Sequence, residues 1–203
     1  ENQFLSPIFV KENKGYLSEI KVPHTLVMCE ECDLLQLKET VLPDLLYKSY
    51  FYRSATSDTM RGELRDVVRE VETYVNLESG DCVLDIGAND CTMLSYYSPE
   101  LRRFAIEPAE NIDWSHVDKN IKIVNNYFND DSVKECELPK KVKVFTSCAM
   151  FYDLDDPNSF VRTVKDNLHE EGVFCIQLSY LPAMLKNLNF YDICNEHLEY
   201  YSL

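Results

Sequence analysis

Residues 82–91 read CVLDIGANDC, and this run constrains the fold more than any other part of the chain. Val83 and Leu84 form the middle of a short apolar strand that runs into Asp85-Ile86-Gly87 and then turns at Ala88-Asn89-Asp90. A glycine directly after a strand lets the backbone approach a ligand with no Cβ in the way. About twenty residues on, a second apolar run, Phe104-Ala105-Ile106, ends in Glu107. In alternating α/β chains the strand-to-helix crevice is where nucleotide-like cofactors sit, and a carboxylate at the end of the second strand is placed to accept both hydroxyls of a ribose.

The rest of the chain keeps this alternation. Strands are expected at 82–86, 103–107, 121–125, 142–147 and 173–178. Helices are expected over about 91–97 and 157–169, with a short turn near 110–116. The 157–169 helix has Asp156 as N-cap, Pro157 at the first helical position and Gly172 just past its end, with Phe160, Val161, Val164 and Leu168 as its apolar face. A long amphipathic helix is expected from about Arg61 to Leu77, because Leu64, Val67, Val68, Val71 and Val75 share one stripe. The pattern predicts an α/β fold with a doubly wound, mostly parallel, Rossmann-like sheet over residues 44–203. Residues 1–43 read as an irregular, knuckle-like region, in which 26–28 and 34–37 form two short strands around Cys29 and Cys32. EHLEYYSL at 196–203 is expected to open a further strand. A sheet of this kind takes two more, so its C-terminal edge is expected to be truncated.

Charge narrows the partners. Twenty Lys and Arg against 35 Asp and Glu leave a net charge of −15. Nucleic acid is held through clustered cations, so it is excluded as a substrate, and an anionic membrane surface is excluded with it. Lys140, Lys141 and Lys143 are the one basic cluster. There is no run of 18 apolar residues and no signal-peptide pattern at residues 1–10, so a cytoplasmic protein with a small-molecule substrate is expected. Of eight cysteines, Cys82, Cys91, Cys148 and Cys175 lie in or beside apolar strands, where a free thiol acts as a small hydrophobe. No disulfide framework is expected.

The glycine turn with a strand-end acid is the pattern of S-adenosylmethionine (SAM) methyltransferases. The dinucleotide fingerprint G-x-G-x-x-G is absent; Gly87 is the loop's one glycine, with Asn89 and Cys91 following. A pyrophosphate needs bare backbone at a helix N-terminus, whereas SAM carries no phosphate. Asp85, Gly87 and Asn89 are expected to line the methionine end, Glu107 to bind the ribose and Pro108 to pack by the adenine.

Five motifs in order resemble the sugar C-methyltransferases, which act on nucleotide-linked 4-keto-deoxysugars. They are C-x-x-C followed by LLQL (29–37), YFYRSATSDTM (50–60), VLDIGANDCTML (83–94), AIEP (105–108) and NEHLEYYSL (195–203). The resemblance implies a small zinc-binding N-terminal domain, a central SAM domain and a C-terminal sugar-binding domain, the last not covered by this chain. It implies that Asn126 faces the adenine with Tyr127 and Phe128 beside it, although these two aromatics read equally well as core. The backbone of Cys148 and Ala149 would receive the SAM ammonium, and Tyr52, Ser57 and Met60 would roof the methyl-donor pocket. Methylating carbon beside a ketone needs a base for the α-proton, and histidine titrates near neutrality. His197 is the expected base, with Glu196 orienting it or binding a sugar hydroxyl. The family's closing motif reads approximately Tyr-His-Glu-His-Leu; here Cys194 and Asn195 replace the first two, so Cys194 is at most a weak donor or a pocket wall. Cys29 and Cys32 would be two of four ligands of a structural zinc. His24, His116 and His169 are expected at the surface. Two other functions stay open: O- or N-methylation of another small molecule, and a SAM-binding scaffold without turnover.

Overall fold

In the computed structural model the described residues are 2–4 and 21–202. Along the chain run β1 (Asn2–Phe4), β2 (Lys21–Pro23), β3 (Leu26–Met28), β4 (Leu35–Leu37), α1 (Pro43–Tyr47), α2 (Asp58–Tyr74), β5 (Cys82–Ile86), β6 (Arg102–Ile106), β7 (Ile121–Val124), α3 (Asp130–Glu135), β8 (Val142–Cys148), α4 (Pro157–Asn167), β9 (Leu168–Gln177), α5 (Leu181–Asn187) and β10 (Glu199–Tyr200). They divide into two compact units. The sheet unit is Tyr52–Cys148 with Asp156–Gln177; the smaller unit is the described chain up to Phe51 with Ala149–Asp155 and 178–202. Among the described residues no helix is long and apolar enough to cross a membrane.

The sheet unit carries five parallel strands in the order β7-β6-β5-β8-β9. This is the Rossmann-like α/β fold that the alternation predicts. The chain winds outward from β5 to β7, then returns to β8 on the other side of β5, so the topological switch lies at the carboxyl end of β5. Its strands are apolar because both faces are covered; every residue of β5 is buried. One face packs on Leu64, Val68 and Val71 of α2 together with Val83, Ala105, Ile121 and Val144. The other holds an aromatic cluster: Phe128 packs against Phe160 (4.6 Å between centroids) and Phe145 (6.3 Å), and Phe160 against Phe174 (6.1 Å).

Some boundaries move, for local reasons. The long helix starts at Asp58, three residues before the expected Arg61, because the Ser57 hydroxyl accepts the Met60 N–H and caps it. It ends at Tyr74, and Val75 is extended. Residues 93–96 form a 3₁₀ turn within the expected 91–97 helix. α4 stops at Asn167 and β9 begins at the next residue. Gly172 therefore does not cap the helix. It lies where β9 slips register against β8, between Leu168 and Val173. A Cβ there would meet the His169 and Lys143 carbonyls at 3.0 Å, so close backbone approach explains the residue. Val161 is exposed rather than part of α4's buried face.

The C-terminal strand corrects a larger expectation. β10 does not extend the parallel sheet. It pairs antiparallel with β4, Glu199 opposite Gln36 and Tyr200 opposite Leu35, in a three-stranded sheet β10-β4-β3. Leu37, Met184, Leu198 and Tyr200 form the buried core of the smaller unit. The motif at 195–200 is thus tied to the N-terminal hairpin.

Candidate functional site

The loop after β5 has an unusual backbone. Gly87, Asn89 and Cys91 all have positive φ (69°, 48° and 62°). Glycine does this freely and asparagine with modest strain, whereas for a cysteine it is uncommon. The chain therefore keeps a glycine-rich path through alternate positions while holding one glycine. The Gly87 and Ala88 N–H groups both reach the Ile106 carbonyl (2.9 and 3.3 Å), which draws the loop over the end of β6.

Glu107 locks the turn from beneath. Its Oε2 accepts the Asn89 N–H (2.7 Å) and its Oε1 the Ala109 N–H (2.8 Å). Burial raises its pKa against these two bonds and the nearby Arg53 charge. A carboxylate offers about four lone-pair sites, so two stay available for a pair of hydroxyls. Asp85 is fully enclosed in β5, where its Oδ1 accepts the Thr146 hydroxyl of β8 (2.7 Å). Burial pushes its pKa up to about 7.

Above the loop lies residues 52–57. The Asn89 side chain accepts the Ser54 N–H and donates to the Tyr52 carbonyl, both at 3.1 Å. Asp90 Oδ2 accepts the Ala55 N–H (2.8 Å), while its Oδ1 accepts from the Thr92 hydroxyl (2.5 Å). Arg53 donates to the Tyr52 carbonyl (2.6 Å) and the Asn111 carbonyl (2.9 Å). Tyr52 is half-buried, with its phenol pKa raised by burial and by Asp90. Asn89 thus binds protein backbone with its side chain. Ser57 uses its hydroxyl oxygen as a helix cap, and the Met60 side chain packs on the sheet core.

Of the remaining cofactor candidates, Pro108 is half-buried beside the Glu107 turn, and Cys148 lies at the end of β8 with its thiol 3.9 Å from Met93 Sδ. Burial raises the Cys148 pKa, so the thiol stays neutral. Ala149 follows with φ 53°. Asn126 turns its side chain back to accept the Tyr127 N–H (2.8 Å). The Phe128 ring packs in the aromatic cluster with Phe145 and Phe160.

The smaller unit gathers a second set. His197 Nδ1 lies 2.7 Å from the Asp192 carbonyl. A carbonyl only accepts, so Nδ1 carries the proton and Nε2 presents a lone pair. Burial lowers the His197 pKa against the opposing Asp192 and Glu196 contributions, which favours the neutral imidazole. The Tyr152 ring packs on the imidazole, 4.1 Å between centroids at 50°. Tyr47 donates to the Glu196 carbonyl (3.3 Å) and also hydrogen-bonds the Asp153 carboxyl, whose pKa burial raises well above the ordinary carboxylate range. Cys194 is a half-buried thiol raised to about 12 by burial, hence a neutral wall. His24 is not a free surface residue: its Nε2 lies 2.6 Å from Asn195 Oδ1.

Cys29 and Cys32 sit at the β3–β4 turn, where the Cys29 N–H donates to the Leu34 carbonyl (2.9 Å) and the Asp33 N–H to the Cys29 carbonyl (3.0 Å). Backbone N–H groups of Glu31 and Cys32 lower the Cys29 pKa. Among the described residues, however, no group of three or more His, Cys, Asp or Glu side chains is placed to hold a metal. Two thiols do not make the tetrahedral set that structural zinc requires. All eight cysteines are free.

A family described as a methyltransferase domain matches residues 57–203. The chain belongs to that family. It is also similar to C-methyltransferase NovU of Streptomyces niveus, 25% identical over 187 residues that cover 91% of this chain and 44% of that protein. The chain thus spans less than half the length of that curated relative. Among solved structures it is similar to a Haloferax volcanii methyltransferase seen in complex with the Trm112 activator (TM-score 0.53, 16% identity, 71% of this chain and 67% of that one). The YcgJ protein of Bacillus subtilis gives TM-score 0.53 at 17% identity, over 70% of this chain and 63% of that one. The plantazolicin methyltransferase BpumL, solved with a desmethylPZN analog and SAH, gives 0.52 at 14% identity, over 67% and 53%. These likenesses establish the class I SAM-methyltransferase fold.

The methyltransferase domain's crevice fits SAM on its own geometry. Glu107 has acceptor capacity for a ribose, and Gly87, at positive φ, leaves bare backbone at the strand end. Three contributors escape a reading of the sequence. Asn125 donates from one side-chain amide to the Glu107 and Ala109 carbonyls (2.7 and 3.0 Å), fixing the turn that carries the acid. Asp153 and Tyr47 join Glu196 only through the fold. The signal for Asn125 was available, since a polar residue directly after a strand often ties a neighbouring loop. Nothing local marks the other two.

Proposed function

We propose that this methyltransferase domain serves C-methylation of a small molecule at the carbon beside a ketone, with a nucleotide-linked keto-deoxysugar as the substrate class. The observation that carries the reading is the His197 imidazole, anchored through Nδ1 to the Asp192 carbonyl and left with Nε2 as a neutral base. The similar NovU is a C-methyltransferase, which supports the same chemistry.

SAM, when bound, supplies an electrophilic methyl on a sulfonium. Gly87 and the flanking backbone would hold its methionine part, Glu107 would accept the ribose hydroxyls, and Pro108 with Asn126 and Tyr127 would border the adenine. The Cys148 and Ala149 backbone would receive the ammonium. Ser57 and Met60 hold the start of α2, and with it Tyr52, over the loop. His197 Nε2 takes the proton from the carbon next to the ketone. With SAM bound, the electron pair of that C–H bond would pass through the substrate's enolate into the new carbon–methyl bond, and the pair of the methyl–sulfur bond that breaks would leave with the sulfur. Glu196 binds a substrate hydroxyl, and Cys194 lines the wall without titrating.

The test is transfer from SAM carrying a ¹³C-methyl group to a nucleotide-linked 4-keto-deoxysugar, with the product read by NMR. A carbon-bound methyl signal that His197→Ala loses supports the reading. An oxygen- or nitrogen-bound methyl assigns the domain to another small-molecule methylation. SAM binding without transfer to any keto sugar overturns the enzymatic proposal in favour of a binding scaffold.

A further inference from the structure

His197 is held by more than its own loop. Its Nδ1 meets the Asp192 carbonyl at 2.7 Å and its backbone N–H the Cys194 carbonyl at 3.3 Å, both within residues 192–197. Two further grips come from one residue far away in sequence. The Tyr152 ring lies 4.1 Å from the imidazole, and the Tyr152 carbonyl accepts the N–H of Leu198, the residue after the histidine, at 2.8 Å. Tyr152 is buried, in a 3₁₀ turn formed by Phe151–Asp153. The next residue, Asp153, reaches the same segment through Tyr47, whose hydroxyl donates to the Glu196 carbonyl.

We propose that Tyr152 is a positioning residue for His197, its ring fixing the plane of the imidazole and its carbonyl fixing the backbone that carries it, so that Nε2 keeps one direction. The inference rests on His197 being the base. A single hydrogen bond at Nδ1 leaves the ring free to rock about that bond, and an aromatic face against the ring removes this freedom. Neighbouring residues show the same division of labour. Cys194 offers no ring, and Asn195 turns its carbonyl oxygen to His24, so the ring contact to the imidazole comes from Tyr152. The charged groups facing the imidazole are Asp192 and Glu196 from its own segment; the 151–153 turn presents the Tyr152 phenol and, beyond it, the Asp153 carboxyl, whose pKa burial raises. Tyr152 therefore acts through packing and the exclusion of water.

The experiment is NMR of the histidine ring in the intact protein, paired with kinetics. Folded wild type is expected to show cross-peaks between the Tyr152 and His197 rings, with His197 titrating below an ordinary histidine. Tyr152→Phe should keep both. Tyr152→Ala should admit water, move the His197 titration up toward the ordinary value and lower the transfer rate about tenfold or more with KM changed less than about twofold. Absent cross-peaks in wild type, or an unchanged His197 titration in a folded Tyr152→Ala protein, overturn the proposal. If Tyr152→Ala does not fold, the wild-type cross-peaks and the Phe variant still decide. A fully active His197→Ala protein would remove the base assignment while leaving the NMR results standing, so the two failures are separable.

Discussion

The sheet unit and the smaller unit assemble their polar groups differently. In the sheet unit the acids and amides at the ends of β5 and β6 are paired within the unit, Asp85 with Thr146, Glu107 with two backbone amides, Asn89 and Asp90 with residues 52–55, while Ser147 Oγ, Tyr97 Oη and Arg103 Nε are buried without a partner among the described residues. In the smaller unit His24 Nδ1, Asp153 Oδ1 and Tyr200 Oη are buried without a hydrogen-bond partner among the described residues. A parallel sheet supplies amides and carbonyls at fixed spacing, so a strand-end acid finds partners at once. The smaller unit is assembled from three separate stretches of chain, and its polar atoms meet wherever those stretches cross. The first region draws its polar partners from neighbouring strand ends and loops; the second draws them from stretches of chain far apart in sequence.

The sharpest break in that comparison is Gly87→Val. A β-branched residue at φ 69° distorts the loop and puts a side chain where the proposal places the methionine part of SAM. Calorimetric titration with S-adenosylhomocysteine should show binding abolished. His197→Ala is the complementary test. It should leave that affinity within about twofold and cut transfer by about 10²–10⁴. An equal loss of both would merge the two regions into one functional block.

Asp85 gives a pH test confined to the sheet unit. Its folded pKa of about 7 lies above the unfolded 3.8, so between these values the folded chain binds more protons. Stability from this group is greatest at low pH and falls as pH rises from 4 to 7, by about 4 kcal/mol at most. Asp85→Asn keeps a carbonyl oxygen for the Thr146 hydroxyl and should flatten that slope in urea unfolding at pH 4.5 and 7. Glu107→Ala frees the Asn89 and Ala109 amides and the ribose contact; titration with S-adenosylhomocysteine should show a loss of about 2 kcal/mol. The smallest effect is expected at Ala149, exposed with φ 53°. Ala149→Gly should raise stability by about 1 kcal/mol, seen as a higher melting temperature with the titration behaviour unchanged.

How much was legible follows the same divide. The apolar run 82–86, the glycine after it and the acid at 107 lie close together, and local rules place them. The α2 stripe was equally plain, and only its start needed the Ser57 cap. Local rules failed where a residue served a distant partner. Gly172 looks like a helix stop and is a close-approach glycine; His24 looks like a surface residue and meets Asn195. The short helices α1, α3 and α5 carry too few turns to show a period.

By itself the sequence determined the alternating architecture, the switch-point loop and the acid that underlies it, because these depend on periodicity and on residues adjacent to strand ends. It also singled out Glu196-His197 as a motif. Only the tertiary structure decided that residues 198–200 return to the β3–β4 hairpin instead of the large sheet, that Tyr152 lies against His197, and that Asn89 and Asp90 hold residues 52–55. Those pairings join positions 35 to 165 residues apart, and a residue's partner at that separation is set by how the chain packs, which no local pattern encodes.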